Sequence, residues 1–359
     1  MLSYIIVQKY LIFLIGVMVS TAIMKKHNLM ADMFKFIIDH IPSKRGAVAL
    51  ISFVGGMLPI PGRVTVSAGI LSGLAPCCSD ADCNIGDKQC QKSRSKFGII
   101  DYLATHHYYL WSPLEKTVIL PMAALGLSWG AFIGYMWPLI VITGVYITWY
   151  IFYKFQEEDI QINSSLFGDY NYKRLFTGFL PLIGGIALLA TGLLNGAWIF
   201  GFLTLYYVVL TKSFNIKELS SYVNWKLVFL LSGVLMLSVF FKSHSVEILQ
   251  LIETYKSFLD ITTMSGMIAI SGFAFFSSWL MGSSGKYAGI VALLVTIYGP
   301  QYLVWFLALE FFAYNVSPMH KCIHIGRMYF NTPVRKYFEV IILWQFFLMS
   351  WAAIYTFFI

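Results

Sequence analysis

The stretch that decides the fold is residues 46–75, GAVALISFVGGMLPIPGRVTVSAGILSGLA. It is apolar enough for a membrane helix, but a Gly-Gly pair, two prolines and Arg63 interrupt its middle. A spanning helix needs about 20 mostly apolar residues, and each half is shorter than that. The sequence therefore predicts two half-length helices around a break, which is a re-entrant hairpin.

A second interrupted stretch, residues 263–298, contains SSWLMGSSGK at 277–286. Each stretch follows a short amphipathic segment (29–40 and 245–259), and each of those follows a full apolar run. This repeated order of span, interfacial helix and broken hairpin is the internal symmetry expected of a carrier built from inverted repeats.

Composition sets the class of protein. The chain has 359 residues, of which 58% are hydrophobic and 12% charged, whereas soluble domains carry about 25% charged residues. Helices are the expected spanning elements because a bilayer cannot satisfy an open backbone. We therefore expect an all-α polytopic membrane protein with about eight transmembrane helices and two re-entrant hairpins. The expected spans are the apolar runs 4–23, 118–133, 134–153, 176–193, 198–210, 227–241, 302–313 and 338–358.

Basic residues predict the orientation. If the N-terminus is outside, 20 of the 25 Lys and Arg residues lie in connectors that face the cytoplasm, as the positive-inside rule requires. The same orientation makes the first hairpin enter from the cytoplasm and the second from outside, which inverted repeats demand. The predicted location is the cytoplasmic (inner) membrane.

The predicted organisation has three parts. Residues 1–154 form the first repeat, with its hairpin at 46–76 and a Cys-rich loop at 77–96. Residues 155–175 form a cytoplasmic linker. Residues 176–359 form the second repeat, with its hairpin at 263–298.

The two hairpin tips carry cations, because Gly62-Arg63 aligns with Gly285-Lys286. A charged side chain at membrane depth costs at least about 2.5 kcal/mol on insertion scales, so such residues usually serve function. Helix N-termini after each break would add N–H donors, and nearby hydroxyls would complete an anion site. The alternative is that both cations extend to lipid headgroups or pair with carboxylates. The predicted substrate-binding residues are Gly62, Arg63, Thr65, Ser67, Ser283, Ser284, Gly285, Lys286, Ser317 and His320.

Glu310 is the carboxylate inside a late apolar run. Buried without a partner it would carry a proton, and beside Lys286 it would stay ionised as a counter-charge. It is the predicted coupling residue, and the coupling ion is H⁺ or Na⁺.

Two segments combine histidines with aromatic residues. Residues 317–330, SPMHKCIHIGRMYF, hold His320, Cys322 and His324 just past a span, but no second Cys/His pair at zinc spacing stands nearby in the sequence. Residues 101–111, DYLATHHYYLW, are interpreted as an interfacial arm whose tyrosines lie at headgroup level.

The segment 317–330 resembles the S-P-x-H-x-C signature, followed by Y-F, of an uncharacterised prokaryotic integral-membrane family grouped with the ion transporter superfamily. The PIPG break and residues 101–120 are similar to further stretches of that family in the same order. The resemblance implies an elevator-type, ion-coupled carrier of an anionic substrate with paired re-entrant hairpins. Positions that it carries over are Gly62, Arg63, Ser283, Gly285, Ser317 and His320.

The Cys-rich loop contains Cys77, Cys78, Cys83 and Cys90. Four thiols in fourteen residues could hold one tetrahedral zinc ion, form two disulfides, or stay free. A cytoplasmic loop keeps its thiols reduced, which favours metal, whereas disulfides would contradict the predicted orientation.

These features favour a secondary active transporter of an anion, bound between the hairpin tips. The alternative is a translocase that moves a polyprenyl-phosphate lipid carrier across the bilayer. An enzyme is not expected, because the sequence has no HExxH or GxSxG motif. The expected partners are membrane lipids and the anion or lipid phosphate, with no nucleic acid; a homodimer is one assembly that the sequence allows.

Overall fold

In a computed structural model of the chain, the described residues are 2–27, 29, 31–57, 63–72, 74–75, 88–156, 160, 170–191, 194–244, 247, 250, 259–282 and 284–358. Regular structure in these ranges is helical, with no strand among them. The α-helices are α1 (Leu2–Lys26), α2 (Ala31–His40), α3 (Lys44–Met57), α4 (Arg63–Ser72), α5 (Lys88–His106), α6 (Lys116–Leu125), α7 (Trp129–Trp149), α8 (Tyr172–Thr191), α9 (Gly196–Thr211), α10 (Ile216–Ser221), α11 (Trp225–Ser243), α12 (Met264–Met281), α13 (Ser284–Tyr298), α14 (Leu303–Asn315), α15 (Lys321–Phe330) and α16 (Val334–Phe358).

Membrane-spanning length is reached by five helical segments of the described chain, each apolar enough to cross a bilayer. They are Gln8–Lys26, Trp129–Lys154, Tyr172–Leu189, Met264–Met281 and Val334–Phe358. The expectation of a helical membrane protein is confirmed at this level.

Of the predicted spans, 118–133 is wrong, while 198–210 and 302–313 fall in helices of 16 and 13 residues, which are short of the usual spanning length. The apolar run 118–133 is not one helix, because α6 ends at Leu125 and α7 begins at Trp129. Gly126 adopts a left-handed conformation (φ 71°), which few other residues adopt readily. The Ser128 side chain then accepts the backbone N–H of Ala131 and caps α7. Local capping chemistry thus divides a run that is continuous in hydropathy.

The two interrupted stretches each form a helix pair. In the first pair, α3 and α4 approach so closely that a Cβ added at Gly55 would lie 3.1 Å from the Ser67 Cβ. The second pair differs from the prediction, because α12 has 18 residues, which is about 27 Å of helix. Two half-length helices were predicted there, and the first of them instead reaches the spanning length.

Gly282 ends α12 in a left-handed conformation (φ 52°). A Cβ at this position would lie 2.4 Å from the Met319 Cβ and 3.0 Å from its carbonyl carbon. The break of the second pair therefore packs directly on the segment between α14 and α15.

Gly282→Ala is expected to lower the melting temperature in detergent by several degrees. The left-handed conformation costs an L-residue about 1–2 kcal/mol, and the new methyl group also collides with Met319. The matched control is Gly272→Ala inside α12, where an added Cβ meets nothing within 4 Å and alanine favours the helix. Equal melting temperatures for the two variants would contradict the close approach at Gly282.

Helices α5 and α14 organise the interior. Helix α5 packs on α3, α4 and α15, while α14 packs on α12, α13 and α16. The second helix of each pair also crosses to the other half of the chain, since α4 packs on α15 and α13 packs on α6. Asp101 and His106 on α5, and Glu310 and Asn315 on α14, are therefore surrounded by protein.

Candidate functional site

The C-terminal ends of α5 and α14 meet in the interior. The Tyr102 hydroxyl donates a hydrogen bond of 2.6 Å to the Asn315 Oδ1 atom, and the hydroxyls of Tyr109 and Tyr314 lie 3.5 Å apart. All four side chains are buried. Because unpaired polar groups are costly in such surroundings, these contacts fix how the two ends face each other.

Asp101 on α5 is a buried carboxyl group. Its Oδ1 atom accepts a short hydrogen bond from the hydroxyl of Ser67 on α4, and both side chains are almost fully enclosed. The pair joins α5 to the second helix of the first helix pair.

Glu310 on α14 has a similar environment. Its Oε2 atom accepts a short hydrogen bond from the hydroxyl of Ser278 on α12, and both residues are fully buried. Its Oε1 atom has no hydrogen-bond partner among the described residues. A buried carboxyl oxygen that lacks a hydrogen-bond partner can bind a proton or a cation.

Both carboxyl–serine pairs lie beside a helix break. Ser67 is one turn after the start of α4, and Ser278 is one turn before Gly282 at the end of α12. The ion pairs formed by described basic residues involve neither Asp101 nor Glu310. Each carboxyl group is thus held by a hydroxyl rather than by a described cation.

Two histidines touch at the same junction. The Nε2 atoms of His106 and His320 lie 2.9 Å apart, and both side chains are fully buried. His106 Nδ1 donates to the Tyr102 carbonyl oxygen at 2.7 Å, while His320 Nδ1 donates to the Tyr314 carbonyl oxygen at 3.1 Å. Each imidazole also lies against the ring of the tyrosine whose carbonyl it contacts, with centroids 4.1 Å apart; the rings of His106 and Tyr102 are stacked, and those of His320 and Tyr314 are tilted by 30°.

Cys322 completes a cluster with the two histidines. One Nε2 or Nδ1 atom of each histidine and the Cys322 Sγ atom all lie within 4.8 Å of one another. Cys322 is not disulfide-bonded, and it lies in the first turn of α15, partly exposed. Imidazole and thiol groups together are typical ligands of soft metal ions.

Two Ser-Pro turns have the same local geometry. After α5, the Leu114 N–H donates to the Ser112 Oγ atom at 3.3 Å. After α14, the Met319 N–H donates to the Ser317 Oγ atom at 3.2 Å. The Ser317 hydroxyl also donates to the Trp279 carbonyl oxygen at 2.5 Å, which fixes the second turn to the end of α12.

The predicted binding residues fall into two groups. Ser67, Ser317, His320 and Glu310 are described and buried. Ser317 and His320 flank Met319, against which the Gly282 break packs. The remaining residues lie in or beside the breaks. The main chains of Arg63 and Thr65 lie in α4 and those of Ser284, Gly285 and Lys286 lie in α13, whereas their side chains, and Gly62 and Ser283 as a whole, fall outside the described residues.

The interpretation of residues 101–111 as a headgroup-level aromatic arm is wrong. Tyr102, Tyr108 and Tyr109 are buried, and a tyrosine at headgroup level would face lipid and water. Burial follows because Asp101 and His106 on the same helix need polar partners, which they find within the protein.

The described part of the Cys-rich loop departs from the metal interpretation. Cys90, in the first turn of α5, is disulfide-bonded. A disulfide sulfur is not a thiolate ligand, so a four-cysteine zinc site does not fit this bond. Cys77, Cys78 and Cys83 lie outside the described residues. A disulfide persists in an oxidising compartment, which opposes the cytoplasmic placement predicted from charge.

Cys90→Ser is expected to increase the number of reactive thiols by one. Because Cys90 is disulfide-bonded, its removal leaves the partner cysteine as a free thiol. The count is measured as the gel shift with a polymer-linked maleimide on denatured, non-reduced protein. Cys322→Ser is the control and should decrease the count by one. A decrease for Cys90→Ser as well would show that Cys90 is a thiol. The same labelling with a membrane-impermeant maleimide in intact cells then locates the loop.

Asp101, His106 and Asn315 were not predicted from the sequence as members of the candidate site. Their only signal was the presence of hydrogen-bonding side chains in otherwise apolar segments. Cys322 was noted, but its metal interpretation was set aside because no partner stood nearby in the sequence. The partner is His106, more than 200 positions away along the chain.

Comparison with protein-family models and with curated proteins finds no match to this chain. The resemblance of residues 317–330 to the ion transporter superfamily remains a prediction.

Proposed function

We propose that the protein is a secondary active transporter of a small anion in the cytoplasmic membrane, with Glu310 and Asp101 carrying the coupling protons. The observation that carries the proposal is the position of the two buried carboxyl–serine pairs. Each pair lies about one helical turn from the break of a helix pair. Substrate bound at the breaks would therefore lie next to the groups that exchange protons.

Inverted repeats are part of the proposal. The motif S-P-x-x-K occurs at 112–116 and 317–321, and each copy leads into a ten-residue helix, α6 or α15. Each of these helices ends in a left-handed residue, Gly126 or Asn331. Asp101 and Glu310 precede their Ser-Pro turns by 11 and 7 residues, and the difference of four equals the 3₁₀ segment His107–Leu110. The correspondence supports two related halves.

The crossed packing suits an elevator-type or rocking mechanism. In such carriers the substrate site lies where the two repeats meet. Here α4 of the first pair packs on α15, and α13 of the second pair packs on α6. The second helix of each pair thereby packs on a helix from the opposite half of the chain, so that movement of one half would change the surroundings of both pairs.

An anion is the proposed substrate because the second helix of each pair begins with a basic residue in its first turn. Arg63 is the first residue of α4, and Lys286 lies in the first turn of α13. Helix N-termini present backbone N–H groups and a partial positive charge, which favour anions.

Ligand-induced stabilisation of the purified protein tests this proposal. Carboxylates, phosphate and sulfate are compared with chloride, and any anion that raises the melting temperature is then tested for uptake into proteoliposomes with and without a proton gradient. Stabilisation by none of them would remove the support for a small-anion carrier.

A lipid-phosphate translocase is the second candidate, and one groove favours it. The groove has a volume of about 520 Å³ and lies between α3, the end of α5 and α7. Its walls are mostly apolar, including Leu50, Phe53, Ile140 and Ile147. An isoprenoid chain could lie in this groove and pack against its apolar side chains. Stabilisation by polyprenyl phosphate, with no effect of inorganic phosphate, would favour this candidate over the first.

A further inference from the structure

His106 and His320 place two nitrogen lone pairs opposite each other. A backbone carbonyl oxygen only accepts hydrogen bonds, so each Nδ1 atom that contacts one carries the hydrogen. The neutral imidazole of each residue then has an unprotonated Nε2 atom, and these two atoms lie 2.9 Å apart. Two lone pairs repel at this distance, particularly in a buried site. A positive species between them would remove the repulsion.

The geometry points to a buried binding site for one soft transition-metal ion, Cu⁺ in preference to Zn²⁺, held by His106 Nε2, His320 Nε2 and Cys322 Sγ. The three side chains offer one ligand atom each within 4.8 Å of one another. Thiolate and imidazole ligands together select copper and zinc over harder ions. The inference is independent of the proposed transport function.

The supporting contacts resemble those around established metal sites. A histidine that binds a metal through one ring nitrogen usually donates its other N–H to a carbonyl or carboxylate, which fixes the tautomer and the ring orientation. Both histidines here make that bond to a main-chain carbonyl, and the ring of each also contacts a tyrosine ring at a centroid distance of 4.1 Å. The two Nε2 lone pairs are therefore already oriented toward the proposed metal position before an ion binds.

Charge balance favours Cu⁺. The ion must be compensated inside the protein because uncompensated charge is costly in a buried site. One Cys322 thiolate neutralises a monovalent ion and leaves one positive charge on a divalent ion. The neighbouring Tyr102 and Asn315 side chains hydrogen-bond to each other and carry no charge. Zn²⁺ would also require a fourth ligand for its tetrahedral geometry.

The ligand atoms need only small movements. Metal–nitrogen bonds of about 2.0–2.1 Å place two such nitrogens roughly 3.5 Å apart in a planar three-coordinate arrangement, so the Nε2 atoms would separate by roughly half an ångström from their present 2.9 Å. Cys322 is the partly exposed ligand, and the ion would enter on its side. Once bound, the ion would join the end of α5 to the start of α15.

Copper titration of the purified protein tests the site. Cu⁺ is supplied with ascorbate, which leaves disulfides intact, and competes with bicinchoninate. We expect one equivalent per chain, an increase in melting temperature on binding, and nitrogen and sulfur ligands by X-ray absorption. A variant with Cys77, Cys78, Cys83 and Cys90 replaced by serine should retain the equivalent, which separates this site from the Cys-rich loop. Zn²⁺ at micromolar concentration should not bind stoichiometrically.

Single substitutions assign the ligands. Cys322→Ser, His106→Asn and His320→Asn should each weaken copper binding at least tenfold. His324→Asn is the matched control, because His324 is exposed and bonds to the Pro318 carbonyl outside the cluster; it should bind copper like the wild type. Cys322→Ser replaces only the sulfur atom, so it still tests the site if a histidine variant fails to fold. Absence of copper from the wild type, or equal affinity in the wild type and Cys322→Ser, would overturn the site and leave a shared proton between the histidines. Stoichiometric zinc binding would overturn the preference for Cu⁺.

Discussion

Glu310→Gln is expected to abolish the response of anion uptake to a proton gradient while leaving anion binding intact. Glutamine retains the shape of the side chain and can still accept the hydrogen bond from Ser278, so the packing between α12 and α14 should survive. It cannot exchange a proton. Glu310 is fully enclosed and its Oε1 atom has no described partner, so the substitution removes a titratable group without breaking an ion pair among the described residues. Asp101→Asn should behave in the same way.

The measurement is substrate uptake into proteoliposomes with and without an imposed pH gradient, beside substrate-induced stabilisation in detergent. Gradient-driven uptake should fall by at least about 100-fold, as for the removal of an essential proton-transferring group. Glu339→Gln is the control, since Glu339 is exposed on α16 and pairs with Arg335 and Lys336. Full gradient-driven uptake by both Glu310→Gln and Asp101→Asn would show that these carboxyl groups do not couple transport.

Hydropathy and glycine content predicted part of the fold. They placed the break of the second pair within residues 277–286, where α12 ends at Gly282, and they identified the helical, membrane-compatible character of the chain. They did not predict the division of 118–133, because that division depends on the left-handed Gly126 and the capping Ser128. Such local hydrogen bonds and dihedral angles leave the apolar character of the run unchanged. The full length of α12 was also missed, because Ser277 and Ser278 inside it were interpreted as the start of the break.

The candidate site was harder to predict because it is assembled over long sequence separations. Glu310 stood out in the sequence as an isolated charge in an apolar run. Asp101 did not, because the first half of its helix, KQCQKSRSK, is polar and basic. His106 and His320 are 214 positions apart, so no local spacing reveals that they pair. Only the convergence of α5 and α14 brings these residues together, and no periodicity within either helix encodes that convergence.

Arg63 and Lys286 would repel each other if both served one anion site. At a separation of about 6 Å and an effective dielectric constant of 20, the repulsion is about 3 kcal/mol. A bound anion would offset it, and Glu310 would offset part of it in the empty state. If each cation instead extended to lipid headgroups, neither side chain would contact the substrate, and replacing it would not change substrate binding. The two explanations therefore differ in how an anion stabilises the protein.

Arg63→Ala is accordingly expected to abolish stabilisation by the transported anion, and Lys286→Ala to weaken it to a similar extent. Arg63→Lys should also be poor for a carboxylate or phosphate, because the guanidinium donates two parallel hydrogen bonds that an ammonium cannot reproduce. The measurement is the anion-induced increase in melting temperature of each variant. Arg327→Ala is the control, as it removes one positive charge from an exposed position near the end of α15 and should leave the increase unchanged. If both alanine variants retain the full increase, the cations act as topological anchors, and the anion must be bound by other groups.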